Sequence, residues 1–145
     1  MKSANLDRRK QQWIIATCSQ TTDGVWLHDG EYTVLPAESA PATVAEALQA
    51  ALARTRIGIP HPQDWTGHVK PLLDAAGVKT WSAYVRDTRA ISVEQADDDI
   101  VLTPTVNRGA REGFGFLSEQ AIHVPSTATH AEIGAAIEKA LARCE

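Results

Sequence analysis

Apolar and polar residues do not alternate evenly along this chain, and the changes in their period mark its elements. After a polar stretch at the N-terminus, Trp13-Ile14-Ile15-Ala16-Thr17-Cys18 crowds branched and aromatic residues together and reads as a strand. Thr22-Asp23-Gly24 is turn chemistry. Val25-Trp26-Leu27-His28 and Glu31-Tyr32-Thr33-Val34-Leu35 flank Asp29-Gly30, a two-residue spacing that predicts a hairpin. Further on, Ala90 to Glu94 and Ile100 to Thr105 alternate as two strands joined through Asp97-Asp98-Asp99. Ala121-Ile122-His123-Val124 fits an edge strand ending at Pro125.

Between these runs the period lengthens to that of a helix. Val44, Ala47, Leu48, Ala51 and Leu52 share one face, and Thr43 with Glu46 has the spacing of a capping box. Gly58 and Pro60 stop that helix. A second helical segment is expected to start at Asp64, with Trp65, Val69, Leu72, Leu73 and Ala76 on one face and Gly77 as its stop. Pro71 lies inside the pattern and must kink or split it. Thr80 can cap a short helix through Arg86. Thr129 and Glu132 repeat the capping box before Ile133, Ile137, Ala140, Leu141 and Cys144, which stripe a C-terminal helix.

Hairpins therefore outnumber crossovers. The expected fold is α+β, one domain with a mainly antiparallel sheet of about five to six strands and three to four helices packed on it. Residues 1–12 read as a charged tail and residues 13–145 as the domain. At 145 residues the chain fits a single core that buries ~68% of the unfolded surface. No apolar run approaches the ~18 residues of a membrane span, and the first residues lack the apolar core of a secretory signal. The two cysteines, Cys18 and Cys144, imply no disulfide framework, so a cytoplasmic location is expected.

Charge changes the picture through its placement. The net charge is −4. From Gln11 to Ala53 the chain carries Asp23, Asp29, Glu31, Glu38 and Glu46 and no Lys or Arg. Such a segment repels phosphate, which argues against direct nucleic-acid binding, and suits a basic protein partner. Asp97-Asp98-Asp99 adds a projecting acidic tip. Of the four tryptophans, Trp65 sits next to a loop and is the one expected to be partly exposed as an interface anchor.

No residue set makes a convincing catalytic or metal centre. His61, Asp64 and His68 are the right types for a metal or general-base site, but His61 lies outside the expected helix and need not share a face with His68. Cys18 and His28 fall on neighbouring expected strands as a nucleophile–base pair, although Cys on an apolar strand is usually packing. The run Gly109 to Gly115, with Arg108 and Arg111 beside it, lacks the Lys-Ser/Thr ending of a phosphate loop. A small Cys/His-dependent hydrolase or metalloenzyme is thus the alternative to a binding protein, and neither metal nor cofactor is expected.

Two segments become specific when taken together. Gly24-Val25-Trp26 precedes Tyr32-Thr33-Val34-Leu35-Pro36, and Ile59-Pro60-His61-Pro62-Gln63-Asp64-Trp65 leads to Leu72-Leu73-Asp74-Ala75-Ala76-Gly77-Val78-Lys79-Thr80-Trp81-Ser82-Ala83-Tyr84-Val85. This pattern resembles the CdiI immunity proteins of contact-dependent growth inhibition (CDI) systems, as do Ile100 to Thr105, Asn107 and Gly109 to Phe114. The resemblance implies a cytoplasmic antitoxin that binds the C-terminal toxin domain of a cognate CdiA protein, often a nuclease such as a tRNase. It implies no catalysis and no membrane, and a 1:1 complex is expected. Because immunity is specific to the cognate toxin, no contact residue carries over from the resemblance. Charge and exposure alone nominate Asp23, Asp29, Glu31, Trp65, Asp97, Asp98 and Asp99 as toxin-binding residues.

Overall fold

The computed structural model describes residues 1–145. Its frame is a sheet whose central member is the stretch expected to be a tail. Lys2–Arg9 forms β1, which pairs antiparallel with β2 (Gln12–Thr21) on one side and β6 (Thr88–Ala96) on the other. Alternation explains this placement. Ala4 and Leu6 point to one face and are fully buried, while Ser3, Asn5, Asp7 and Arg9 point to the other. The buried charges are satisfied at long range. Tyr84 donates its hydroxyl to Asp7, and Arg9 donates from Nε to the Tyr84 carbonyl at 3.1 Å and the Thr88 hydroxyl at 3.0 Å.

The path continues through β7 (Asp99–Asn107) to β8 (Phe114–Phe116), with β3 (Trp26–His28) at the opposite edge, giving the order β3-β2-β1-β6-β7-β8. β4 (Thr33–Pro36) and β5 (Ile57–Ile59) also pair with β2, the latter in parallel, and β9 (Ile122–Pro125) pairs with β7. The six-strand path and its antiparallel character agree with the expected α+β fold. The expected hairpin across Asp29-Gly30 does not form. β3 pairs at Cys18 to Gln20 and β4 at Gln12 to Ile15, so both are laid end to end along the ten-residue β2. The Asp97–Asp98 hairpin between β6 and β7 is present as expected, with Ala96 opposite Asp99.

Helices cover the two faces unequally. α1 (Pro41–Ala53) and α4 (His130–Arg143) lie on the Ala4/Leu6 face, where Trp13, Ile15, Leu48, Leu52, Ile91, Leu102, Ile133 and Ile137 form the main core. α4 starts with the expected Thr129–Glu132 capping box. α1 does not use Thr43. It starts at Pro41 behind Ala40, because proline's fixed φ suits the first helical turn and its missing N–H costs nothing there. The same rule moves α2 (Lys70–Ala76), which places Pro71 in its first turn and starts after Asp64, not at it. Gly77 ends α2 in the left-handed conformation, and Thr80 caps α3 (Trp81–Arg86) by accepting from the Ala83 amide at 3.1 Å. α2 and α3 seal only a small second core around Ile14, Leu72, Leu73, Tyr84 and Val85 on the other face. No helix is long and apolar enough to cross a membrane.

Candidate binding groove

What α2 and α3 leave open becomes a groove. Strand register aligns His28, Cys18, Ser3, Glu94 and Val101 in one row across five strands, and aligns Asn5 with Ser92 in the next row. Directly paired residues share a face, so these side chains floor the half of the sheet that no helix covers. Most of the floor is small or polar. Large aromatic groups rise around it, with Trp26 on the β3 side, Trp65 and Trp81 on the α2–α3 side, and Phe116 on the β8 side. The result is an open groove of about 530 Å³. Trp65 and Phe116 are 45% and 69% exposed, which is unusual for large apolar side chains at a rim of this kind.

The walls are held from below. Trp81 stacks on Tyr84 with ring centroids 5.6 Å apart and donates its indole N–H to the Ala110 carbonyl at 3.2 Å. Trp65 stands edge-on to both His61 and His68, at 5.6 and 4.9 Å between centroids. His61 in turn shares a hydrogen bond between Nδ1 and the Thr21 hydroxyl at 3.0 Å. The Pro60–Trp65 corner is therefore a brace that props the Trp65 wall against the end of β2. Asp64 accepts from the Thr66 amide at 2.9 Å and closes the turn before α2.

Register also brings acidic turns together. Lys2 lies opposite Gln95, and Ser3 lies opposite both Cys18 and Glu94. The β2–β3 turn with Asp23 and the β6–β7 turn with Asp97 and Asp98 therefore leave the sheet at the same end, beside Glu94. Strands lie ~4.8 Å apart, so these turns sit within a few strand widths of each other. The remaining nominated acids are less free. Asp29 accepts two guanidinium bonds from Arg56, at 2.9 and 2.8 Å, and the Ser19 hydroxyl at 2.6 Å; hydrogen bonding from Arg56 holds its carboxyl below the usual range. Asp99 pairs with His123 at 2.8 Å, and Asp23 lies 3.8 Å from His61. Glu31 is exposed beside Arg54 and Arg56, away from the hairpin tips. Glu94, Asp97 and Asp98 make no ion pair.

The enzyme alternative meets the wrong electrostatics. Cys18 and His28 do face each other across β2 and β3. Burial pushes the Cys18 thiol up to about 11, and burial followed by the charge of His68 pulls His28 down to about 4. A thiolate–imidazolium pair needs the opposite shifts. Both ring nitrogens of His28 are engaged, by Asn5 Nδ2 and by the Tyr32 hydroxyl, each at 2.9 Å. No three His, Cys, Asp or Glu side chains converge as a metal-ligand set. In the Gly-rich loop, the Arg108 guanidinium lies against Gly115, and the Gly109 amide is already used, donating to Asn107 Oδ1 at 2.9 Å.

Trp65 and the acidic turns were legible in the sequence as surface features. Glu94, Trp26, Trp81 and Phe116 were not, because their grouping depends on β1. The alternation of Ser3-Ala4-Asn5-Leu6-Asp7 was the available signal, and its charged residues masked it.

The fold has close counterparts among solved structures. It is similar to the protein of unknown function NMB0488 from Neisseria meningitidis, with a TM-score of 0.84 and 20% identity over 99% of this chain and 95% of that one. It is equally similar to a chain in the CdiA-CT/CdiI toxin and immunity complex from Yersinia pseudotuberculosis, with a TM-score of 0.83 and 18% identity over 99% and 97% of the two chains. At these identities the likeness establishes shared architecture. No curated protein sequence matches the chain. The family described as CdiI, CDI immunity protein, matches residues 2–144, which takes in the central strand as well as both helical layers. The chain belongs to the CdiI family of CDI immunity proteins.

Proposed function

We propose that this protein binds the C-terminal toxin domain of a cognate CdiA protein in the cytoplasm and neutralises it stoichiometrically, as a 1:1 complex and without chemistry of its own. The observation that carries this reading is family membership over residues 2–144. The toxin is a nuclease, such as a tRNase. A nuclease must present basic surface to its substrate, and Glu94, Asp97 and Asp98 offer unpaired negative charge at one end of the groove. An acidic inhibitor of a basic enzyme gains association rate from steering as well as affinity from contact.

The contact face is the aromatic groove with its adjoining turns, and it includes Asp23, Trp65, Asp97, Asp98 and Asp99. Asp29 and Glu31 lie toward the β3–β4 edge. Asp29 is already closed by Arg56, so it contributes least. A stable interface of this kind buries ~1,600 Å² in total, far more than the groove alone, so the flanking turns are needed.

Co-expression tests the proposal. Cells producing the toxin domain encoded beside this chain's gene should survive when the chain is supplied and stop growing when it is withheld. The purified pair should run as one complex, and RNA or DNA cleavage by the toxin should cease at equimolar inhibitor. Failure to rescue overturns the immunity assignment; rescue from a toxin that cleaves neither RNA nor DNA overturns only its nuclease part.

A further inference from the structure

We propose that the groove receives the guanidinium group of one arginine from the toxin domain, with Glu94 as its counter-charge and the tryptophan walls as its stacking surfaces. The inference rests on the immunity reading above and specifies the chemistry of the anchor.

Four observations carry it. First, no Lys or Arg lines the groove, while Glu94 does. Lys2 is near in sequence, but strand alternation sends it to the face opposite Ser3. Second, Glu94 is exposed and has no ion-pair partner within the chain, so its charge is available to an incoming cation. Third, Trp26, Trp65 and Trp81 bound the same space. Indole faces attract a cation through the ring quadrupole, and a planar guanidinium can stack on them where an ammonium cannot. Fourth, Ser3, Asn5 and Ser92 place side chains able to accept hydrogen bonds on the floor beside Glu94.

Competing occupants fit worse. An apolar side chain would cover Glu94 and leave its carboxylate desolvated and unpaired, which is costly. An acidic side chain would meet Glu94 with repulsion, reinforced by the acidic turns at the same end. A lysine would answer the charge but would leave the flat indole walls poorly filled.

Calorimetric titration of the full chain with the purified toxin domain supplies the test. Glu94→Gln keeps the shape and removes the charge, and it should weaken binding by roughly 10–100-fold. Glu138→Gln, an exposed change on α4 far from the groove, should bind like the wild type. Each toxin arginine is then replaced by alanine. One of these should reproduce the loss and show strong non-additivity with Glu94→Gln in a double-mutant cycle. Thermal unfolding of each variant separates loss of contact from loss of fold. If the wild type binds but Glu94→Gln binds equally well, or if no toxin arginine couples to Glu94, the anchor assignment is overturned while the immunity reading stands. If the wild type neither binds nor neutralises the toxin, the immunity reading fails first.

Discussion

Replacing Asp7 with Asn should change how stability depends on pH, by an amount set by its burial. Asp7 lies on the groove face of β1, is 7% exposed and accepts the Tyr84 hydroxyl. Burial raises its carboxyl to about 6, against an ordinary 3.8, despite the opposing hydrogen bond from Tyr84 and the charge of Arg9. Because the folded state holds this proton more tightly than the unfolded chain, Asp7 contributes stability that is full below about pH 3.8 and is lost as pH rises through about 6. The gap at about 1.36 kcal/mol per pH unit comes to ~3 kcal/mol. Asn keeps an acceptor for Tyr84 and has no proton to lose. The stability of Asp7→Asn minus that of the wild type should therefore move by up to ~3 kcal/mol in favour of the variant between about pH 4 and pH 7. For a chain of this length that corresponds to roughly 6–12 °C in Tm. Urea unfolding followed by tryptophan fluorescence at stepped pH values reads the difference directly, and groups common to both proteins cancel. A difference that stays constant with pH, or moves against the variant, refutes the assignment of Asp7 as a desolvated carboxyl.

Other perturbations test the remaining frame. His28 carries the opposite linkage: burial lowers it to about 4 from 6.5, so its contribution is present above pH 6.5 and lost as pH falls towards 4. His28→Gln should gain up to ~3 kcal/mol relative to the wild type over that fall, read by the same urea series. Gly134 packs α4 against the start of α1, and a Cβ there would lie 2.6 Å from the Pro41 carbonyl carbon and oxygen. Gly134→Ala should destabilise by ~1–3 kcal/mol in calorimetry, although alanine is the better helix former by about 1 kcal/mol. Removing residues 2–9 should abolish the cooperative unfolding transition seen by circular dichroism; a dispensable tail would leave Tm unchanged.

The enzyme alternative shows how residue type and residue environment diverge. Cys18 and His28 are the right pair at the right register, yet the floor they occupy is dry enough to keep the thiol protonated and the imidazole neutral. Likewise Pro60, His61 and Trp65 form a specific-looking motif that braces one side of the groove and is not a ligand set. The ring of His61 bridges Thr21 and Trp65, and so fixes one wall of the groove.

Local chemistry determined much of this protein before any tertiary contact was known. The Thr129–Glu132 box, the Thr80 cap, the Gly77 stop and the β6–β7 hairpin each depend on residues within a few positions of one another, and all appear as the sequence predicts. The exposure of Trp65 belongs with them, since it follows from a loop flank. Where two local rules competed, sequence alone misplaced the boundary: Pro41 and Pro71 set the starts of α1 and α2 against the rival caps Thr43 and Asp64. Tertiary structure decided the rest. β3 and β4 each gained more by pairing with the long β2 than with each other. Lys2–Arg9 became the central strand because Tyr84, Ala83 and Thr88, more than seventy residues away, receive its buried charges. Only once β1 is in place do Ser3 and Glu94 become neighbours and the groove acquire a floor. A polar strand at the centre of a sheet cannot be read from its own residues, since the partners that make its burial tolerable are supplied by the fold.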